Sequence, residues 1–344
     1  VEVGSRVTDT RAMTATMNTT PSTAAEVVRS DLDDVVSRCH EEFAALSGRR
    51  VLLTGGAGFL GYYLVQSMMH FNDAAAGERI HLTVYDNYAR GVPQWLSDFA
   101  ARPDLELVEH DVRNPLPDAI GDYQYIIHAA GIASPTYYRL HPIETMDANV
   151  NGLRHLLDYS KQQRENESPI EGFLFFSSSE IYGDPQPDFI PTPEAYRGNV
   201  SCTGPRACYD ESKRYGETLC VNFAQVHDLP VKMVRPFNNY GPGLKITDRR
   251  VLPDFARDVL SGRDVTLLSD GSATRTFCYV ADAITGYIKV LVKGAPGEAY
   301  NIGVEEPEIS IGDVAELVVQ LAAELFSYHG TVVKRVSDES DYLT

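Results

Sequence analysis

The chain has 344 residues, 43% of them hydrophobic, and a formal net charge of -18. That length suits one large α/β domain or two coupled lobes. The acidity argues against a nucleic-acid partner, since phosphate backbones need a basic face, and no apolar run approaches the ~20 residues that cross a bilayer, so no membrane partner is expected either.

In chain order, residues 1–25 are rich in Thr, Ser and Ala without an apolar period, which predicts a disordered leader. Val27, Val28, Leu32, Val35, Val36, Phe43 and Leu46 then recur at near-helical spacing. They predict an N-terminal helix over 26–48 that packs on the body or on a second subunit. From residue 50 short apolar runs alternate with helical patterns. "RRVLLTGG" is a strand, "FLGYYLVQSMMH" a helix, "RIHLTVYDN" a strand, "VPQWLSDFAA" a helix, and "LELVEHDV" and "YQYIIHAAG" are strands. A long helix is expected over about 142–164, a strand at "GFLFFSSSE", a helix over about 206–227 and a strand at "PVKMVRPFN". This alternation predicts a parallel sheet with helices on both faces. Residues 49–240 are read as a dinucleotide-binding unit. Residues 241–344, together with "SPTYYRLHP", are richer in loops and read mainly as a smaller lobe over the carboxyl ends of the strands, with some segments returning to the sheet. Cys39, Cys202, Cys208, Cys220 and Cys278 are widely spaced without a CxxC. That disfavours disulfides and a metal site and points to a reducing cytoplasm.

"TGGAGFLG" spaces Gly55, Gly58 and Gly61 three apart where a strand gives way to a helix. Glycines there let the backbone approach a pyrophosphate, and the free N–H groups of the helix start, from Phe59 and Leu60 onward, attract anions. An acidic chain can thus hold phosphates by backbone. Asp86, at the end of the next strand, can accept hydrogen bonds from adenosine ribose hydroxyls and would repel a 2'-phosphate, so NAD is expected over NADP. Asn87 follows it, and Asp111 and Val112 are placed beside the adenine.

"GPRACYDESKR" sets Tyr209 and Lys213 one helical turn apart. A phenol titrates near ~10. An ammonium at ~4 Å supplies about 4 kcal/mol at an effective dielectric of ~20, enough to bring the phenol toward neutrality. The pair is therefore a sufficient base for an alcohol whose hydride leaves to a nicotinamide.

Those residues, with "SSSEIYGDP" (177–185), "FNNYGP" (237–242), "GSATRTFCYVAD" (271–282), "ASP" (133–135) and "DNYARG" (86–91), resemble the extended short-chain dehydrogenase/reductase superfamily. Within its epimerase/dehydratase branch they resemble the UDP-glucuronate decarboxylases, or UDP-xylose synthases. The likeness covers most of residues 50–325. It implies an α/β fold: a Rossmann-type doubly wound parallel sheet with a smaller substrate-binding lobe at the carboxyl end. It also implies a permanently held NAD, with Ala130 among its contacts, a nucleotide-sugar substrate oxidised at carbon 4, and a homodimer joined through helices 142–164 and 206–227.

The resemblance further implies roles for single residues. In 4,6-dehydratases the strand end carries adjacent Asp and Glu; here they are Ser179 and Glu180, which disfavours dehydration. In 4-epimerases the Glu position is usually small, which disfavours epimerisation. A 4-keto glucuronate is a β-keto acid and loses carbon dioxide without a metal. Tyr209 is then the base and Lys213 its modulator. Ser178 bonds the carbon 4 oxygen, and Glu180 with Ser179 orients the ring or manages protons at carbon 5. Arg275 is placed near the sugar carboxylate or the diphosphate, Asn238 and Arg250 at the UDP, and Tyr138 in the sugar lobe. The chain ends at Thr344, before the family's last substrate-lobe segment, so the lobe is expected to be truncated. A nucleotide-sugar 4-epimerase or 4,6-dehydratase, release of the 4-keto pentose, and an NAD-sensing binding protein on the same fold stay open beside this reading.

Overall fold

The computed structural model describes residues 23–75 and 77–335. Most of the expected leader lies outside them, but its last three residues do not: Thr23 caps a helix that already includes Ala24 and Ala25. Its side chain accepts from the Glu26 N–H while Glu26 reaches back, a capping box that fixes the start. The N-terminal segment is two helices, α1 (Ala24–Arg38) and α2 (His40–Leu46). They pack on the body, where Phe43 stacks on Phe71. Burying Phe43 and Leu46 completely contributes about 1.5–3 kcal/mol each.

The strands are β1 (Arg50–Thr54), β2 (His81–Asp86), β3 (Leu105–Glu109), β4 (Tyr125–His128), β5 (Gly172–Phe176), β6 (Val231–Pro236), β7 (Asn239–Tyr240), β8 (Val265–Leu267), β9 (Thr274–Arg275), β10 (Cys278–Tyr279), β11 (Ala299–Ile302), β12 (Ile309–Ser310) and β13 (Val332–Lys334). The remaining helices are α3 (Phe59–Ala74), α4 (Gln94–Ser97), α5 (Pro135–Leu140), α6 (Pro142–Asp147), α7 (Leu153–Glu165), α8 (Ala207–His227), α9 (Val251–Leu260), α10 (Val280–Lys293) and α11 (Ile311–Phe326). Seven strands form one sheet in the order β11-β6-β5-β4-β1-β2-β3, parallel throughout. The order reverses between β1 and β4, and a crevice at such a switch point is where open α/β sheets bind ligands.

Strand side chains alternate between two cores. Val51, Leu53, Ile127 and Leu174 face α1, α2, α3 and α10. Leu52, Ile126, Phe173 and Phe175 face α7 and α8. A third, smaller core joins α9, β8, α11 and β13 around Phe255, Val265, Leu267 and Val314. The chain leaves the sheet after β6 and returns with α10 and β11, where Ala299–Ile302 runs beside Met233–Pro236.

Two local features differ from the sequence expectation. "SPTYYRLHP" is not a loop: Pro135 opens α5 at a position where its fixed φ favours a helix. The long helix expected at 142–164 is α6, a π turn at Ala148–Gly152, and α7. The π turn inserts a wider loop of backbone beside the strand ends.

Candidate active site

Gly55 leaves β1 with φ +80, and a Cβ there would lie 2.6 Å from the Ala130 nitrogen. A Cβ on Gly61 would lie 2.5 Å from the Gly56 carbonyl oxygen. The loop is therefore pressed both onto the exit of β4 and into the start of α3. Gly58 is the N-cap of α3 and offers no side chain to its first N–H groups, which leaves them for an anion. Phe59 and Leu60 supply the first of them and pack partly buried on the core. Asp86 is held in place by accepting from the Ala57 N–H (3.0 Å) and the Tyr88 N–H (2.9 Å). Burial pushes its pKa up. A carboxylate has about four acceptor positions, so two stay free for hydroxyls.

Beyond Asp86, Asn87 donates to Asp111 at 3.3 Å, and both line a cleft of about 510 Å³ with Glu109, His110 and Asn114. Arg113 holds the Asp111 carboxyl down at about 2. Val112 turns inward instead: its side chain is buried and limits the space at Gly152 in the π turn, where a Cβ would meet it at 2.9 Å. The glycine cradle, the free helix start and the anchored Asp86 together fit a dinucleotide. Gly55→Ala is expected to lower both the melting temperature and the affinity for NAD, because no shift of a flexible side chain relieves a backbone clash at positive φ. The cost exceeds about 1 kcal/mol. Thermal melts and calorimetric titration with NAD would check this, and an unchanged affinity would refute it.

Tyr209 and Lys213 sit in the first two turns of α8, both buried. The Lys213 ammonium donates to the Phe176 carbonyl at 2.7 Å. It lies 5.0 Å from the Phe175 ring centre and 5.8 Å from that of Tyr209. The sequence predicts a phenol brought down by the lysine. In the structure burial dominates: it pushes Tyr209 up to about 12, against a hydrogen bond with the Ser178 side chain and the charge of Arg250. Burial likewise pulls Lys213 down to about 7. The proton accounting thus moves from the phenol to the pair. Burial makes release of one proton near neutrality a property of the two groups together, Tyr-OH and Lys-NH3+, more than of the phenol alone.

Ser178 begins a 3-10 turn, Ser179–Tyr182, and its Oγ accepts from the Glu180 N–H at 3.2 Å. Ser177 points elsewhere, donating to Glu217 at 2.6 Å. Tyr138 stacks on Tyr209 with ring centres 5.1 Å apart and planes 11° off parallel; its buried hydroxyl makes no hydrogen bond among the described residues. Arg250, at the N-cap of α9, is bonded to Asp248. Asn238 has φ 37, and its carbonyl accepts from the Cys278 N–H. Arg275 stands apart on the exposed strand β9, donating to the Thr274 carbonyl at 2.7 Å.

Three residues of the site were not assigned roles from the sequence. Arg206 forms an ion pair with Glu180 and lies 3.6 Å from Asp210. Burial, opposed by Arg206, raises Asp210 to about 6. Asn149, in the π turn, donates to Ser212 at 2.9 Å. Its buried Oδ1 has no hydrogen-bond partner among the described residues and lies beside Gly131, next to the Lys213 ammonium. Arg206 was visible as a cation flanking the Tyr–Lys pair. Asn149 gave no periodic signal.

The site thus joins a dinucleotide cradle to a buried Tyr–Lys pair and an acid held by an arginine. Among the described residues no group of three His, Cys, Asp or Glu could hold a metal, and no helix is long and apolar enough to cross a membrane.

A sequence model described as the NAD dependent epimerase/dehydratase family matches residues 51–303. UDP-glucuronic acid decarboxylase 3 of Arabidopsis thaliana is 37% identical over 79% of this chain and 74% of its own length. UDP-glucuronic acid decarboxylase 1 of Xenopus tropicalis is 34% identical over 79% and 60%. Among solved structures, an epimerase from Methanothermobacter thermautotrophicus superposes with TM-score 0.72 at 24% identity, covering 90% of this chain and 86% of that one. A dTDP-glucose 4,6-dehydratase from Bacillus anthracis, in complex with NAD, does so with TM-score 0.68 at 23% identity over 85% and 86%. The glycine cradle, the Tyr–Lys pair, the sheet order and these matches agree: the chain belongs to the NAD-dependent epimerase/dehydratase family.

Proposed function

We propose that the protein decarboxylates UDP-glucuronate to UDP-xylose through a 4-keto intermediate, using NAD that it retains. The observation that carries this is Glu180, directly after Ser179 and paired with Arg206 beside the Tyr138–Tyr209 stack. The names of the relatives that are 34–37% identical point the same way. NAD, when bound, takes the carbon 4 hydride and later returns it. Gly55, Gly58, Phe59, Leu60 and Gly61 would hold its diphosphate, with Ala130 beside the glycine loop and with Asp86, Asn87 and Asp111 around the adenosine, where Val112 could offer only its backbone because its side chain is buried. Tyr209 accepts the carbon 4 hydroxyl proton, Lys213 carries the compensating charge, and Ser178 keeps the oxygen in line. The 4-ketone accepts the electron pair left when the carbon 5 to carboxylate bond breaks. Carbon dioxide departs, and one proton must reach carbon 5. Glu180, held by Arg206 with Ser179 beside it, is placed in that proton path. Tyr138, Asn238, Arg250 and Arg275 are assigned to the substrate, Arg275 by its loop alone.

Mass spectrometry of products from UDP-glucuronate, with and without added NAD, tests the proposal. A UDP-pentose formed without added NAD supports it. An unchanged mass overturns it and directs attention to epimerisation, while loss of water from UDP- or dTDP-glucose would identify a dehydratase. We also propose a homodimer through α6, α7 and α8, whose Ile143, Met146 and Tyr215 are exposed. A reducing, cytoplasmic setting accords with the five free cysteines.

A further inference from the structure

The α1–α2 segment precedes the family match at 51–303, yet one of its carboxylates ties the helix behind the cofactor cradle to strand β10. Asp31 Oδ2 accepts from the Tyr63 hydroxyl at 2.7 Å and from the Tyr279 hydroxyl at 2.7 Å. Tyr63 lies on α3, two residues after Gly61, in the helix whose start is the phosphate cradle. Tyr279 lies four residues after Arg275, on β10, which pairs with β7 immediately after Asn238. The other polar ties of the segment run to the outer faces of α3 and α10: Arg38 to Asp282 (2.6 Å), His70 to Asp33 (2.7 Å) and Lys293 to Glu42 (2.8 Å). These hold the helices on. Asp31 joins α3 to β10, the strand that follows Arg275 in the chain.

We propose that Asp31 is a positioning residue: through Tyr63 and Tyr279 it fixes the register between the cofactor helix and the β10–β7 pair, which lies between Asn238 and the segment after Arg275, so that a helix outside the site sets NAD retention and substrate affinity. The phenols favour this arrangement because a shared carboxylate oxygen is the stronger class of acceptor. Two donors on one oxygen also couple the two elements directly. The substrate half of the inference rests on UDP-glucuronate being the substrate; the NAD half does not.

The test uses the full chain with Tyr63→Phe, Tyr279→Phe, the double variant and Asp31→Ala, the last chosen because alanine preserves the helix. NAD affinity is read by calorimetry, nucleotide content by release on denaturation, and KM and kcat with UDP-glucuronate. Tyr63→Phe is expected to weaken NAD binding about tenfold, the scale of one hydrogen bond to a charged group, with KM unchanged at saturating NAD. Tyr279→Phe is expected to raise KM about tenfold with NAD affinity unchanged. Asp31→Ala and the double variant should show both effects to the same extent, with kcat at saturation within about twofold of the parent. A lowered melting temperature with NAD affinity and KM at parental values would overturn the proposal, leaving Asp31 as a fastener only. Should Asp31→Ala not fold, the two phenylalanine variants decide by the same criterion. If the parent does not turn over UDP-glucuronate, the proposed reaction fails, and the Tyr63→Phe titration with NAD still decides the positioning role.

Discussion

Replacing Tyr209 with phenylalanine is expected to cut kcat on UDP-glucuronate about 10³-fold while the fold survives. General acid–base groups contribute on the order of 10²–10⁴, and the hydroxyl is the only atom removed. The ring would keep its stack on Tyr138 at 5.1 Å and its place among buried neighbours. The change strips one partner from Ser178, whose Oγ still accepts from the Glu180 N–H. Melting temperature should therefore move little. NAD binding should stay within a few-fold. Steady-state kinetics beside a thermal melt checks this. Activity within tenfold of the parent would mean that the carbon 4 proton leaves by another route, with Arg206 and Glu180 the first place to look.

Lys213→Met should have opposite effects on activity and on stability. Activity falls, by about 10²-fold or more, because the pair can no longer release a proton near neutrality while keeping a compensating cation. Stability rises. Burial holds Lys213 at about 7, against about 10.4 in an unfolded chain. A lysine depressed on folding binds its proton more tightly when unfolded. The penalty is full below the folded value, shrinks as pH rises from about 7, and is gone above about 10. It amounts to up to ~5 kcal/mol, less about 1 kcal/mol for the lost bond to the Phe176 carbonyl. Denaturant melts at pH 6.5 and pH 10 should show the variant more stable at the first pH, with the gap closing at the second. The parent's kcat/KM should climb through about pH 7, a step that the variant lacks. A variant less stable than the parent at pH 6.5 would show that the ammonium is better solvated than its burial indicates. The trade follows the general pattern of function held at the expense of stability.

What could be read in the sequence was whatever depends on local pattern. Buried parallel strands write themselves as apolar runs, so β1, β2 and β6 were legible to within a residue or two, whereas the strand read at 172–180 ends at Phe176 because Ser179–Tyr182 turns into a 3-10 helix. The glycine spacing was legible because a positive φ at Gly55 and a close approach at Gly61 demand that residue type. Tyr209 and Lys213 were legible as an i, i+4 pair, but the depth of burial that sets their proton affinities is a tertiary property. Arg206 and Glu180 meet across 26 residues, and no periodicity encodes such a pairing. The π turn that delivers Asn149 was invisible for the same reason, since its sequence reads as ordinary helix. Arg275 was placed by motif, whereas its actual setting is an exposed two-residue strand.

The N-terminal helices also bear on synthesis. Arg38 meets Asp282 across 244 positions, and α1 and α2 find much of their cover on α10. At about 5–20 residues per second, a ribosome needs roughly 10–50 s to make the intervening chain. During that time the apolar stripe of Val28, Leu32, Val35, Phe43 and Leu46 waits for the partner helix α10, which is made more than 200 residues later. Contacts so distant are formed late and close slowly. The nascent chain therefore presents a helper-binding surface until α10 is made, and its yield in a cell should depend on chaperone supply more than the stability of the finished enzyme would suggest.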